Sequence, residues 1–191
     1  MPVIKTNRTQ IVDIFISPLN RQRGLMRLGQ WHGALSLGRN GCVFQKVEGD
    51  GATPICDLRP IRLYVRPDRH RLRCPRLFPW QMIRKEEGWC DSVSHGSYNR
   101  RIKRPFAHSH EEMWRDDRLY DVVIETDWNH KPRKKGRGSA IFIHCQREDQ
   151  GPTAGCLAFP AKILQLLIGK MNQIRCFRIH GRGRKPIKAQ N

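Results

Sequence analysis

The sequence predicts a mainly β, single-domain fold: a sandwich or irregular barrel with one or two short helices. Apolar residues alternate with polar ones in most candidate elements, as they do in half-buried strands, and helical spacing is clear in one segment. The length of 191 residues fits one domain. Hydrophobic residues make up 38% of the chain and 16 glycines add to them, so a folded core is expected rather than a disordered chain.

The first part of the chain is predicted to be built from strands. They are expected at residues 10–16, 34–37, 42–44 and 61–66. Asn40-Gly41 is typical of a type I′ turn and predicts that the second and third of these strands form a hairpin. A glycine-rich loop is expected at residues 48–54, between the third strand and the fourth.

The second part of the chain is predicted to hold three further strands and one helix. Residues 67–118 contain scattered Pro, Gly, Trp and His and are expected to be irregular. Strands are predicted at residues 119–125, 139–144 and 173–179. A helix is predicted at residues 160–169, because Pro160 suits a first helical turn, apolar residues follow at helical spacing and Gly169 stands near the end.

The chain is strongly basic. It has 36 Lys and Arg residues against 17 Asp and Glu residues, a net charge of +19. Such a charge is found in nucleic-acid binders, membrane-surface proteins and enzymes that act on acidic polymers. The basic residues are dispersed along the chain, without zinc-finger spacing, an RNA-binding strand motif or a recognisable helix-turn-helix. Nucleic acid is therefore not the expected partner.

The domain limits and the membrane prediction follow from composition. We expect one domain over residues 1–180 and a basic, flexible tail over residues 181–191. No apolar run approaches the roughly 18 residues that a membrane-spanning helix needs, so no transmembrane segment is expected. The beginning of the sequence shows no long apolar segment of the kind found in secretory signals.

The cysteines predict a working thiol rather than a disulfide framework or a metal site. There are 7 of them, an odd number, and no two are spaced as Cys-x-x-Cys. A structural zinc site would need such ligand pairs, and His108 and His110 lack a further pair. No metal is therefore expected.

His144 and Cys156 are the candidate catalytic pair. His144 ends a predicted strand, a loop of turn residues follows, and Gly155-Cys156 stands a few residues before the predicted helix. An imidazole and a helix N-terminus both favour a thiolate. Gly155 permits a tight turn, whose backbone N–H groups are expected to face a developing oxyanion. The structural alternative is a buried cysteine and a core histidine, which is the commoner situation for these residue types.

These residues resemble the catalytic motif of the L,D-transpeptidase (YkuD-type) family. That family carries a strand-borne His and a Ser/Thr-x-Gly-Cys turn, which are here His144 and residues 153–156. Further matches to the family lie at residues 48–54, 88–91, 98–100, 119–121 and 136–142. They are most similar to the compact branch found in α-proteobacteria, and the resemblance spans residues 10–180. Ala154 departs from the pattern, since many members have a second His there.

The resemblance implies a peptidoglycan cross-linking enzyme with the β fold of that family. Cys156 would attack the L,D bond before the terminal D-Ala of a tetrapeptide stem, release D-Ala and form a thioester, which an amine of a second stem resolves. His144 would act as base and then as acid, oriented by the backbone carbonyl of Cys145, with Gly155 in the oxyanion turn. The residues expected to contact substrate are Tyr98, Asn99, Arg100, Asn129, Ser139 and Thr153.

The same resemblance implies peptidoglycan stem peptides as partners, carbapenem-type β-lactams as inhibitors, no cofactor and a place in the periplasm or cell envelope. Two alternatives remain open. Water in place of the amine would make the enzyme an L,D-carboxypeptidase. A non-catalytic basic module that binds nucleic acid or another anionic polymer is the other, and steep salt dependence of binding would reveal it.

Overall fold

In the computed structural model, which describes residues 9–69 and 75–181, ten strands form one curled sheet. The described strands are β1 (Gln10–Ile16), β2 (Arg23–Leu28), β3 (Trp31–Ser36), β4 (Cys42–Val43), β5 (Thr53–Pro54), β6 (Asp57–Leu58), β7 (Pro60–Val65), β8 (Trp80–Met82), β9 (Glu87–Cys90), β10 (Arg100–Lys103), β11 (His110–Glu112), β12 (Val122–Thr126), β13 (Phe142–Cys145), β14 (Leu157–Phe159) and β15 (Ile174–His180). One helix is described, α1 (Ala161–Gly169). The expected mainly β fold with a short helix is confirmed.

The strand order of the large sheet is β6-β15-β1-β2-β3-β14-β13-β12-β7-β8. The pairs β1–β15, β13–β14 and β7–β8 are parallel, and the other neighbouring pairs are antiparallel. Strands β10, β9 and β11 form a separate antiparallel sheet, and β4 and β5 pair in parallel. The parallel β13–β14 pair positions the candidate site, because His144 lies on β13 and Cys156 directly precedes β14.

The large sheet separates two hydrophobic cores. On one face, α1 packs Leu167 into a core that includes Phe159. On the other face, Tyr64 and Phe142 pack against Trp89 of the three-stranded sheet, with the Trp89 and Phe142 rings edge to face at 4.9 Å. Each large apolar side chain that is fully buried in this way contributes about 1.5–3 kcal/mol. Because the side chains of a strand alternate between the two faces of the sheet, the same strands contribute apolar residues to both cores.

The helix follows the sequence prediction closely. Pro160 is its N-cap with extended backbone angles, and Gly169 is its last residue. Leu164, Leu167 and Ile168 are buried, on the face that the spacing predicted. Among the described residues, no helix is long and apolar enough to cross a membrane.

The predicted hairpin at Asn40-Gly41 is wrong. Strand β3 pairs with β2 and β14, whereas β4 pairs in parallel with β5. The Asn40 backbone N–H donates to the carbonyl of Gly51, and its side-chain amide donates to the carbonyl of Asp50. These hydrogen bonds hold the turn against the glycine-rich loop, so β4 does not pair with β3.

Residues 67–118 are more regular than expected in the parts that the structure describes. They hold β8 at the edge of the large sheet and the whole three-stranded sheet. These strands have three or four residues each, which is too short for alternation to be recognised. The sequence prediction also missed β2 and β14. Residues 182–191 of the predicted tail, and Cys74, lie outside the described residues.

Candidate active site

His144 and Cys156 come together because β13 and β14 are neighbouring parallel strands. His144 is the register partner of Ala158, and Cys156 lies two residues before Ala158. Since side chains alternate between the two faces of a sheet, Cys156 projects on the same face as His144. Both side chains line a cleft of about 300 Å³.

The imidazole of His144 is held by the backbone. Its Nδ1 lies 2.8 Å from the carbonyl oxygen of Cys145, the contact that the resemblance implied. A carbonyl oxygen only accepts hydrogen bonds, so Nδ1 carries the proton and Nε2 is the basic nitrogen of the neutral ring. Burial lowers the pKa of His144 to about 4, despite the hydrogen bond to Cys145. The Tyr120 ring packs edge-on against the imidazole at 5.2 Å.

The side chain of Cys145 lies on the opposite face. Its register partner is Phe159, and it packs against the core that contains α1. Cys145 therefore contributes its carbonyl to the site and keeps its thiol away from the cleft, as neighbouring residues of a strand must.

The thiol of Cys156 is bound to the backbone in this structure. Its Sγ–H donates to the carbonyl of Ala140 at 3.0 Å, and the N–H of Phe142 donates to Sγ at 3.4 Å. Burial, followed by the charge of Glu111, raises the pKa of the thiol to about 12. The expectation of a thiolate at a helix N-terminus is wrong, because β14 and Pro160 lie between Cys156 and α1. The resting pair is a neutral thiol and a neutral imidazole.

The turn before Cys156 is closed by Thr153. Its Oγ1 donates to the carbonyl of Cys156 at 2.7 Å and accepts the N–H of Gly155 at 3.0 Å. The expectation that the turn N–H groups face an oxyanion is therefore wrong for Gly155, whose amide is used inside the turn, and stays a prediction for Cys156. Gly155 has a φ of +141°, and a Cβ there would lie 2.7 Å from the carbonyl oxygen of Ala52. Glycine is required at this position.

Glu111, Arg115 and Tyr120 also line the cleft, although they are not among the expected site residues. The Tyr120 hydroxyl donates to the carboxylate of Glu111, whose pKa is raised by burial. The Arg115 guanidinium lies over the Tyr120 ring, 5.1 Å from its centre, and pairs with Asp117. Tyr120 falls in one of the segments that resemble the family, but no sequence signal pointed to Glu111.

Of the six predicted substrate contacts, Thr153 lines the cleft and five residues do not. Tyr98 is buried and donates to Glu48 Oε2 at 2.5 Å. Asn129 holds its own loop, with Nδ2 donating to the carbonyls of Lys134 and Gly138. Arg100 is exposed on β10, and Ser139 is buried. The residue types did not reveal which of these side chains form hydrogen bonds inside the protein and which lie outside the cleft.

Asn99 does not line the cleft but supports it through hydrogen bonds. Its Oδ1 accepts hydrogen bonds from the indole of Trp89 at 2.9 Å and from the N–H of Ala140 at 3.1 Å. Its Nδ2 donates to the carbonyls of Trp128 and Asn129. Ala140 has a φ of +49°, unusual for a residue with a Cβ, and its carbonyl accepts the Cys156 thiol. Asn99 therefore helps to hold the residue that positions the thiol.

We expect Asn99→Ala to lower the free energy of unfolding by about 3 kcal/mol, because it leaves buried donors and acceptors without partners. Urea denaturation measures the change. Asn172→Ala is the matched control, since its Oδ1 has no hydrogen-bond partner among the described residues, and should cost well under half as much. Equal costs for the two variants would contradict the structural role of Asn99.

His144 should make stability pH-dependent. Its pKa is lowered from 6.5 to about 4 by burial, so between these values the unfolded chain binds a proton that the folded chain does not. The free energy of unfolding should therefore fall as the pH falls through this window, by about 3 kcal/mol from this group. His144→Asn should remove that part of the slope, measured by urea denaturation at several pH values. Parallel slopes for the variant and the original chain would exclude a neutral buried His144.

No protein-family model, curated protein or solved structure matches the chain. The candidate site therefore depends on its own geometry and on the sequence motif. Within the described residues, no group of three or more His, Cys, Asp or Glu side chains is arranged to hold a metal ion. The cleft is lined by the thiol of Cys156 and by the imidazole of His144, which the Cys145 carbonyl orients.

Proposed function

We propose that this protein is a cysteine acyltransferase of the L,D-transpeptidase type that acts on peptidoglycan stem peptides in the cell envelope. The observation that carries the proposal is the shared cleft of Cys156 and His144, with the Nδ1 of His144 bonded to the carbonyl of Cys145. This bond leaves Nε2 as a base. The motif at residues 153–156 supports the same family of reactions.

The reaction begins from the neutral pair. His144 Nε2 takes the thiol proton as Cys156 Sγ attacks the carbonyl carbon of the L,D bond. Collapse of the tetrahedral intermediate breaks the C–N bond, and the D-Ala amine leaves with the proton from His144. An amine of a second stem then attacks the thioester while His144 accepts its proton, and the thiol is restored with that proton. No external oxidant or reductant is needed.

Two arginines suit this substrate class. Arg115 and Arg147 line the cleft, and stem peptides carry free carboxylates. The net charge of +19 adds a long-range attraction that steers acidic substrates toward the protein.

If this steering operates, kcat/KM for an anionic stem peptide should fall several-fold when the ionic strength rises from about 0.01 M to about 0.15 M, because salt shortens the range of the attraction. Initial rates of D-Ala release across a salt series measure it. A value of kcat/KM that stays constant would show that the charge does not assist substrate capture.

The direct test is incubation with tetrapeptide-stem muropeptides, followed by mass spectrometry. The proposal predicts release of D-Ala and formation of cross-linked dimers, together with a carbapenem adduct that peptide mapping locates on Cys156. Tripeptides without dimers would instead indicate an L,D-carboxypeptidase, with water as the acceptor. Absence of D-Ala release and of the adduct would overturn the proposal, and salt-sensitive polymer binding alone would favour a non-catalytic basic module.

A further inference from the structure

A second cavity, of about 260 Å³, lies away from the candidate active site and shares no lining residue with it. One side is formed by the segment around β4 and β5, and the other by a loop at residues 127–137, the cationic loop. Phe44, Ile55 and Cys56 contribute apolar surface, and the indole of Trp128 forms part of the loop side. The cavity combines this apolar surface with polar and charged side chains, as small-molecule sites do.

Three cations of the cationic loop line the cavity, and none of them has a counter-ion among the described residues. Lys131, Lys134 and Arg137 line the cavity and are exposed. Within the described ranges, none of them forms an ion pair with a carboxylate. A fourth cation, Lys46, also lines the cavity, but its Nζ lies 2.5 Å from Asp50 Oδ1.

One carboxylate faces this cavity and partly offsets the charge. Asp127 accepts the backbone N–H of Arg59 at 2.8 Å, and burial raises its pKa. The field at the rim is nevertheless positive: after burial, the charges of Arg133 and Lys131 are the next causes that lower the pKa of His130, another lining residue. The cavity therefore combines an apolar floor with an excess of positive charge.

The cationic loop is held in place before any ligand arrives. The Trp128 indole donates to the carbonyl of Arg137 at 3.0 Å. Asn129 accepts the N–H of Lys134 at 2.7 Å and donates to the carbonyls of Lys134 and Gly138. Because these bonds brace the loop, the cations are presented at little further cost in ordering, which favours binding.

We propose that this cavity binds a small organic anion that carries a flat apolar ring. The ring packs between Trp128 and the apolar floor, and the anionic group lies among Lys131, Lys134 and Arg137. A neutral ring would gain the packing but not the attraction of the three cations, and a small inorganic anion would gain the attraction without the packing. The proposal is independent of the reaction assigned to Cys156, because the two cavities share no residue.

The test uses the full chain and two probes of nearly equal shape, naphthalene carboxylate and the neutral naphthalene methanol, in calorimetric or ligand-observed NMR titrations. We expect the carboxylate to bind at least tenfold more tightly than the alcohol and to weaken as salt is added. The double variant Lys134→Gln, Arg137→Gln should weaken carboxylate binding about tenfold. Melting temperatures establish that each variant is folded.

The matched control is Lys162→Gln, Lys170→Gln, which removes the same charge from α1 and its C-cap residue and should leave carboxylate binding unchanged. Cys156→Ala should also leave it unchanged, which separates this site from the candidate active site. Equal binding of the two probes, equal weakening by both double variants, loss of binding in Cys156→Ala, or no binding of the carboxylate would each overturn the proposal.

Discussion

Cys156→Ala should lower the rate of D-Ala release from a tetrapeptide stem by at least about a thousandfold and should abolish the carbapenem adduct. Alanine has no nucleophile, so no thioester can form, and the remaining groups of the cleft can only bind and polarise the substrate. The variant should still bind stem peptide, since Arg115 and Arg147 remain in the cleft. Mass spectrometry of the intact protein and of the released products measures both effects.

Cys145→Ala is the control for this experiment. It removes a thiol from the residue next to His144, but the Cys145 side chain lies on the other face of the sheet and only its carbonyl contacts the imidazole. The backbone is kept, so activity should remain within a few-fold of the original. Activity that survives in Cys156→Ala, or that is lost equally in both variants, would refute the assignment of Cys156 as the nucleophile.

Gly155→Ala should be strongly destabilising, by about 3 kcal/mol or more, and should displace the thiol. Two costs combine at this position. The φ of +141° is one that L side chains rarely adopt, and the added Cβ would lie 2.7 Å from the carbonyl oxygen of Ala52. The added Cβ cannot easily move away, because the Gly155 N–H is hydrogen-bonded to Thr153 inside the turn. The Ala52 carbonyl that it would meet belongs to the backbone. Urea denaturation measures the stability change.

The rate at which iodoacetamide alkylates Cys156 reports on displacement of the thiol. It should rise in Gly155→Ala, because the hydrogen bond of Sγ to the carbonyl of Ala140 would be weakened. Gly49→Ala is the matched control: Gly49 also has a positive φ, +75°, but apart from its chain neighbours no described residue places an atom within 4 Å of an added Cβ. It should cost about 1–2 kcal/mol and leave the alkylation rate unchanged. Equal destabilisation by the two variants would show that the contact with Ala52 is unimportant.

Local patterns predicted the longer elements of this fold and failed for the pairing of the shorter ones. Strand β1 and helix α1 were recognised because seven and nine residues show a period clearly. The chain does turn here, with the Gly41 N–H bonded to the carbonyl of Gly38. Asn40 lacks the positive φ of a type I′ turn, however, and the hairpin inferred from that turn was wrong. A turn motif describes four residues, whereas the partner of β4 is chosen by hydrogen bonds to a loop ten residues further along.

The residues of the candidate site likewise divide into those that the sequence indicated and those whose role only the structure shows. His144, Gly155 and Cys156 were chosen as candidates from the chemistry of their side chains and from the resemblance of residues 153–156 to a family motif. Asn99 was expected to contact substrate, yet its side chain bonds to Trp89 and Ala140 inside the protein. The sequence does not show which groups a polar side chain contacts, so neither its exposure nor its role can be deduced from the residue type.

The sequence by itself determined the mainly β class and the position of the helix, and it singled out Cys156, His144 and Gly155 as candidate site residues. These depend on periodicity, on the intrinsic backbone freedom of glycine and on side-chain chemistry, all of which are local properties. The tertiary structure decided that His144 and Cys156 share a face, that the resting thiol is neutral and bound to Ala140, and that Glu111 and Tyr120 border the cleft. Strand register, burial and hydrogen-bond partners arise from contacts between distant segments, and therefore appear only when the chain is folded.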